Sequence, residues 1–340
     1  MWPFPDPTTH HTGPTIDSRS NSGTTVQLEE LIQIRHSIRA FSMGAKKGVQ
    51  SLLAGGERSP FKGRGIDFEE VRRYQPGDDV RYMDWRVTAR SGDPHLKIFR
   101  EERERPVFCV VDYTHSMLFG TKVMFKSVAA AKAASLLAWA SQHQGDRIGA
   151  VVFSNQGHGE RRPRGGKSGV LQALDLFATH HQQARQREPL PSDTSSSAFV
   201  SALARVTRTA RPGSLIFLLS DFRSLDVKAV PYLTRLSGHH DVVNVFVFDR
   251  LEQEPPEPGV YRVTNGSDFG VLDSRSSELT KEYRRQFLIR YQSMKTLCQQ
   301  CDMGLLTLGT HESIEEKILQ GLRNIGARRR HLPILGEVGI

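Results

Sequence analysis

Three oxygen-bearing side chains stand two residues apart in the stretch PVFCVVDYTHSMLFG, at Asp112, Thr114 and Ser116. The apolar run Val107–Val111 before them is rich in β-branched residues and predicts a strand buried on both faces. The D-x-T-x-S pattern then falls on the loop leaving that strand, and open α/β sheets bind ligands at this edge. Carboxylate and hydroxyl oxygens are hard donors, which suit Mg²⁺ or Mn²⁺ better than zinc. A second apolar run, Leu215–Leu219, ends in Ser220-Asp221, so Asp221 leaves its strand as Asp112 leaves the first. Ser197 is expected at the N-cap of a helix over 197–210, with Thr194, Ser195 and Ser196 beside it as alternatives. Asp112, Thr114, Ser116, Ser197 and Asp221 are therefore candidate ligands of one cation.

The elements that must position them follow from residue 106 onward. Apolar runs at 107–111, 147–153, 215–219, 242–248 and 304–308 read as strands. Between them, helical patterns cover 122–143, 167–181, 197–210, 227–236, 278–298 and 314–322. Strands alternating with helices predict an α/β fold with a doubly wound, mainly parallel sheet. The expected organisation is a disordered arm over 1–25, a smaller N-terminal accessory β/α segment over 26–105, and the sheet domain over 106–325. That domain carries a hairpin insertion near 252–275, and a loose tail follows over 326–340. A helical spacing covers 26–41, and 44–65 reads as a basic, glycine-rich loop.

The five oxygens resemble the metal-ion-dependent adhesion site of von Willebrand factor A domains, with Thr114 for the usual middle Ser and Ser197 for the usual Thr. The resemblance implies direct ligation of Mg²⁺ by the hydroxyls, water-mediated help from the two aspartates, and a vacant position that accepts a carboxylate from a protein partner. The accessory segment narrows the resemblance. Tyr74-x-Pro76-Gly77-Asp78-Asp79-x-Arg81-x-x-Asp84-Trp85-Arg86-x-x-Ala89-Arg90, followed by 112–120, is similar to the signature of the bacterial domain-of-unknown-function family fifty-eight, a von Willebrand factor A-like family. That resemblance spans about 48–308. It implies an adaptor or assembly factor, not an enzyme, working with a MoxR-type AAA+ ATPase and other von Willebrand A proteins. Many relatives carry membrane helices before the signature; this sequence has none there, which implies a cytoplasmic form.

Around Pro76-Gly77 lie the acids Asp78, Asp79 and Asp84 and the arginines Arg72, Arg73, Arg81, Arg86 and Arg90. The guanidinium fork holds carboxylates bidentately, so an ion-pair network fixing this loop is expected. Arg164-Gly-Gly-Lys-Ser168 imitates the end of a phosphate loop, but Arg161 occupies the first glycine's place and no strand is expected directly before it. Cys298-x-x-Cys301 closes a helix with no second pair, which reads as two part-buried thiols. The pairs His10-His11, His180-His181 and His239-His240 read as solvated loop residues.

Composition bounds these readings. The chain has 340 residues and a net charge of 46 − 37 = +9. That excess permits acidic partners, and the basic runs at 46–64 and 328–330 keep nucleic-acid binding as an alternative function. Only Phe61 interleaves with those runs, which weighs against it. A Mg²⁺-dependent phosphohydrolase using the same oxygens is the other alternative. Three cysteines form no disulfide framework and suit a reducing compartment. Residues 1–14, with no basic start and no apolar core, do not read as a secretory signal, and no apolar run approaches the roughly 20 residues of a membrane span.

Overall fold

The computed structural model describes residues 23–37, 66–75, 79–101, 104–186, 193–264 and 269–330. The arm over 1–22, the basic loop over 44–65, Pro76–Asp78 and the tail beyond 330 lie outside them.

A six-stranded sheet forms the centre, from β3 (Pro106–Asp112), β4 (Arg147–Ser154), β5 (Gly157–Arg164), β6 (Leu215–Ser220), β7 (Asp241–Phe248) and β10 (Gly304–Gly309). Its order is β10-β7-β6-β3-β4-β5, and every pairing is parallel except β4 with the edge strand β5. This is a mixed α/β fold of the doubly wound kind. The chain runs outward from β3 to β5, then returns to pair β6 against the other side of β3. The strand order therefore reverses between β3 and β6, and ligands bind in the crevice at such a switch point.

Alternation along each strand supplies the two cores. On β3, Val107, Cys109 and Val111 face one helical layer, while Phe108 and Val110 face the other. The first layer contains α3 (Lys126–His143), α4 (Gly166–Gln186) and α9 (Ile314–Arg330). The second contains α5 (Asp193–Thr209), α6 (Val230–His239) and α8 (Ser277–Gln300). Burial on both faces explains why the parallel strands are unbroken apolar runs. Helix α3 is buried from Lys126 through Ser141 except at Lys132, so its small alanines let it sit close against the sheet.

The short helix α1 (Leu28–Gln33), followed by a 3₁₀ turn at Ile34–Ser37, joins this first layer. Leu31 is buried there, and Trp139 Nε1 donates to the Leu31 carbonyl at 3.2 Å. The accessory unit is an antiparallel pair, β1 (Ile66–Arg73) with β2 (His95–Glu101), connected through the helix α2 (Trp85–Ser91). A second antiparallel pair, β8 (Val260–Thr264) with β9 (Phe269–Asp273), lies within the expected insertion. A four-residue helix, α7 (Arg250–Gln253), precedes it.

Several elements differ from the sequence-based expectation, three of them in ways that bear on the motifs. Helix α5 starts at Asp193, not Ser197, so the Ser/Thr run lies within its first turns. Helix α9 runs on to Arg330, through the start of the expected tail. The strand β5, of sequence GHGERRPR, is an edge strand that no apolar pattern announces. It also places a strand directly before Arg164-Gly-Gly-Lys-Ser168. That turn lies beside the start of β4, as Ile148 pairs with Arg164, and so at the opposite edge of the sheet from Asp112.

Candidate functional site at the sheet switch point

The loop after β3 is built around Asp112. Its Oδ1 accepts from Thr114 N at 2.8 Å and from Thr114 Oγ1 at 2.6 Å, and its Oδ2 accepts from Ser220 Oγ at 2.6 Å. Ser220 ends the neighbouring strand β6, so this bond ties the two loops across the switch point. Asp112, Thr114 and Ser220 are fully buried, and Ser116 is half-buried. Burial first, then the charge of Asp221, pushes the Asp112 pKa up to about 7, against the hydrogen bonds from Ser220 and Thr114.

Asp221 is also fully buried, and it has a partner that sequence reasoning missed. Lys126, the first residue of α3, places Nζ 2.7 Å from Asp221 Oδ2 and 2.8 Å from Glu252 Oε1. The Lys126 side chain has no solvent exposure. The Phe119 ring lies over the ammonium, with the nitrogen 5.9 Å from its centroid. Burial alone would raise the Asp221 pKa; Lys126, the Arg223 N–H at 3.0 Å and Arg290 outweigh it and hold the carboxylate below its ordinary value. Glu252 is further paired with Arg223 Nη2 at 3.0 Å and Arg290 Nη2 at 3.8 Å. Phe222, next to Asp221, has φ of 54°, an uncommon left-handed conformation for an aromatic residue.

A fourth loop locks this arrangement. Asp249 caps α7 in a reciprocal capping box with Glu252. Its carboxylate also accepts from Thr121 Oγ1 at 2.7 Å and Thr310 Oγ1 at 2.6 Å. The loops after β3, β6, β7 and β10 are thus joined through Asp112, Asp221, Glu252 and Asp249.

The expected ligands are therefore only partly assembled. Thr114 Oγ1 and Ser116 Oγ lie 3.4 Å apart, near the roughly 3 Å edge of an octahedron with Mg–O bonds of about 2.1 Å. Thr114 donates its hydroxyl proton to Asp112, which leaves oxygen lone pairs available. Ser197, however, is an exposed residue inside α5 and not its N-cap. The second-loop hydroxyl bonded toward the first loop is Ser195: Asn155 Nδ2 donates to it at 2.6 Å, and Asn155 Oδ1 accepts from His115 N at 2.9 Å. Ser196 instead donates to Asp226. Asp221 already holds an ammonium, so the five residues as a set do not fit a divalent ion. Among the described residues no three His, Cys, Asp or Glu side chains come together as a metal site.

The other motifs resolve differently. In the accessory unit the acids are turned to the backbone: Asp79 accepts from Arg81 N at 3.0 Å, and Asp84 accepts from Arg86 N at 3.0 Å and Val87 N at 3.1 Å. Ion pairs among the described residues here include Arg81 Nε with Asp79 at 3.5 Å and Arg73 Nη2 with Asp93 at 3.1 Å, while Asp78 of the expected network lies outside those residues. Tyr74 N donates to the Pro94 carbonyl at 2.8 Å, and Trp85 and Arg90 are exposed. His181 is not solvated but buried in α4, bonded to Ser127 Oγ at 3.0 Å. Cys298 is buried and Cys301 half-buried, both unpaired.

Comparison with known proteins adds a family. A profile described as "Protein of unknown function DUF58" matches residues 70–293. Uncharacterized proteins Mb1516 of Mycobacterium bovis and Rv1480 of Mycobacterium tuberculosis are each 27% identical over 296 residues, covering 86% of this chain and 89% of theirs. A crystal structure of the conserved hypothetical protein BatB from Bacteroides thetaiotaomicron superposes with a TM-score of 0.40 at 15% identity, covering 66% of this chain and 99% of that one.

Proposed function

Since the chain belongs to the DUF58 family, described only as proteins of unknown function, we propose from its own geometry that it is a protein-interaction module and not an enzyme. In this reading it is a von Willebrand A-like adaptor or assembly factor for a MoxR-type AAA+ ATPase. Its docking face is the carboxyl edge of the sheet.

One observation carries the reading. The buried acids of the edge are already committed to structural partners: Asp112 to Thr114 and Ser220, Asp221 to Lys126, and Glu252 to Lys126 and Arg223. A phosphohydrolase would need one of these carboxylates free to attack or to take a proton. Around them the loops expose Phe119, Val123 and Val227 beside His115, Ser116 and Arg223. Aromatic and aliphatic groups rimmed by polar ones are the composition of a protein docking surface. No helix among the described residues is long and apolar enough to cross a membrane. A cytoplasmic location belongs to the same proposal, where unpaired Cys109, Cys298 and Cys301 would stay reduced.

A second reading keeps the metal dependence and is favoured by the 3.4 Å spacing of Thr114 and Ser116. There, Asp112, Thr114 and Ser116 would hold Mg²⁺ or Mn²⁺ without Asp221, and the ion would attract a partner carboxylate. A pull-down of the MoxR-type ATPase by the full chain separates the two. Retention in both EDTA and Mg²⁺ supports the first reading, and retention in Mg²⁺ alone supports the second. Loss of retention under both conditions, with phosphatase turnover by the purified chain, overturns the module.

A further inference from the structure

The accessory unit carries a face that the sheet edge does not explain. Helix α2 has the sequence WRVTARS and contains no acid. Trp85 is 69% exposed and Val80, one short turn earlier, 55%. Trp85, Arg86, Ala89 and Arg90 are all exposed. At 100° per residue they fall within about 140° of the helix circumference, so they form one face. The guanidinium groups of Arg86 and Arg90 make no hydrogen bond or ion pair among the described residues. They stand four apart, where like charges repel. Arg81 extends the positive surface, with 83% of its side chain exposed and a 3.5 Å contact to Asp79.

The local fold holds this face outward. Asp84, buried at the N-cap, fixes the first turn of α2 through Arg86 N and Val87 N. Asp84 N donates to the His95 carbonyl at 2.7 Å, and His95 N donates to Thr88 Oγ1 at 2.9 Å. Gly92, with φ of 79°, ends the helix. The helix is pinned to β2 through Asp84 and the half-buried Thr88, and among the described residues its tryptophan and arginines stand exposed. Trp and Arg are the residues most enriched in binding hot spots. An indole left in water retains its whole apolar contribution for a partner.

We propose that Trp85, Arg86 and Arg90 form a docking surface for an acidic protein segment, one that presents carboxylates beside an apolar side chain. Arginine forks take carboxylates bidentately, and the indole packs on the intervening apolar group. Nucleic acid fits less well, since a base-stacking platform uses successive aromatics and this face offers one.

The test uses the full chain and synthetic probes: an alternating glutamate–leucine peptide, poly-glutamate, and a single-stranded oligonucleotide of equal charge. Binding is read by the blue shift of Trp85 emission and by anisotropy of the labelled probe. The glutamate–leucine peptide is expected to bind more tightly than poly-glutamate. Trp85→Ala alone and Arg86→Glu with Arg90→Glu should each weaken it about tenfold or more, the range of a hot-spot truncation. Their melting temperatures should match the wild type, because the substituted side chains are exposed. Unchanged affinity in either variant overturns the proposal, as does no measurable binding of the peptide. An oligonucleotide that binds more tightly than either peptide assigns the face to nucleic acid and also overturns it.

Discussion

Replacing Lys126 with Met tests the structural account of the sheet edge at its centre. Methionine nearly matches the lysine stem in volume, so the change removes a charge with little cavity. Asp221 then loses the cation 2.7 Å away, and its nearest remaining guanidinium contact is Arg223 Nε at 3.9 Å. Glu252 keeps Arg223 at 3.0 Å and Arg290 at 3.8 Å, so the cost falls on Asp221. Orphaning one member of a buried pair costs about 3–5 kcal/mol. A lysine in the first turn of a helix opposes its dipole, so its removal returns about 0.3–1 kcal/mol. The net loss is ~3 kcal/mol, or ~6–12 °C in Tm for a domain of this size.

The pH dependence identifies the cause. In the wild type the folded pKa of Asp221 is depressed, so its contribution is present above the unfolded carboxylate value and is lost as pH falls through the folded one. Without Lys126, burial raises the folded pKa, and the variant loses stability as pH rises through the range above about 4. The gap between the two proteins in urea unfolding should therefore be widest near pH ~7.5 and shrink toward pH ~4.5. Adding Asp221→Asn to Lys126→Met should recover part of the loss, with a coupling of roughly 1–3 kcal/mol. A gap below about 1 kcal/mol at neutral pH, or one that does not change with pH, would refute the ion-pair account.

Three further outcomes rest on buried contacts. His181 accepts from Val26 N at 3.3 Å through Nδ1, and burial, with Arg185, lowers its pKa to about 4. Its contribution of about 3 kcal/mol should be present above pH ~6.5 and vanish as pH falls toward ~4, releasing the α1 segment to hydrogen exchange, and His181→Gln should flatten that slope. Asp249→Ala removes the cap of α7 and its bonds to Thr121 and Thr310, and should cost ~2 kcal/mol in urea unfolding. Gly321→Ala in α9 would push a methyl group into the buried Leu306 side chain and should lower stability by about 1–3 kcal/mol, read as Tm.

The parallel sheet was legible because strands buried on both faces must be apolar throughout, and Val107–Val111 and Leu215–Leu219 show that directly. The edge strand β5 was not, because an edge tolerates Arg161, Arg162, Pro163 and Arg164 and thereby resists pairing with other chains. Asp112 and Asp221 were found from the rule that ligands gather where strands end. Lys126 was missed because a lysine at the start of a helix ordinarily reaches water. Its signal lay in the rest of α3: a helix that is alanine-rich all round is buried all round, so its first residue enters the interior too. Asp249-x-x-Glu252 is a capping-box spacing, and it pointed to a loop lock that was legible but unread.

The position of Lys126 bears on how the edge recognises anything at all. A divalent ion at such a rim would bring two charges and an open coordination site, and would need loading. An ammonium at the head of α3 brings one charge, is tethered to the chain, and directs two of its three donors to the buried Asp221 and Glu252. It organises the loops but offers an incoming carboxylate no vacancy. In the proposed reading recognition rests on the exposed Phe119, Val123 and Val227, because the Arg223 fork is already turned to Glu252. On α2 an apolar group, Trp85, stands beside the exposed Arg86 and Arg90. In the proposed reading a chain with a net charge of +9 would select, through the α2 face, partners whose acidic side chains are flanked by apolar ones.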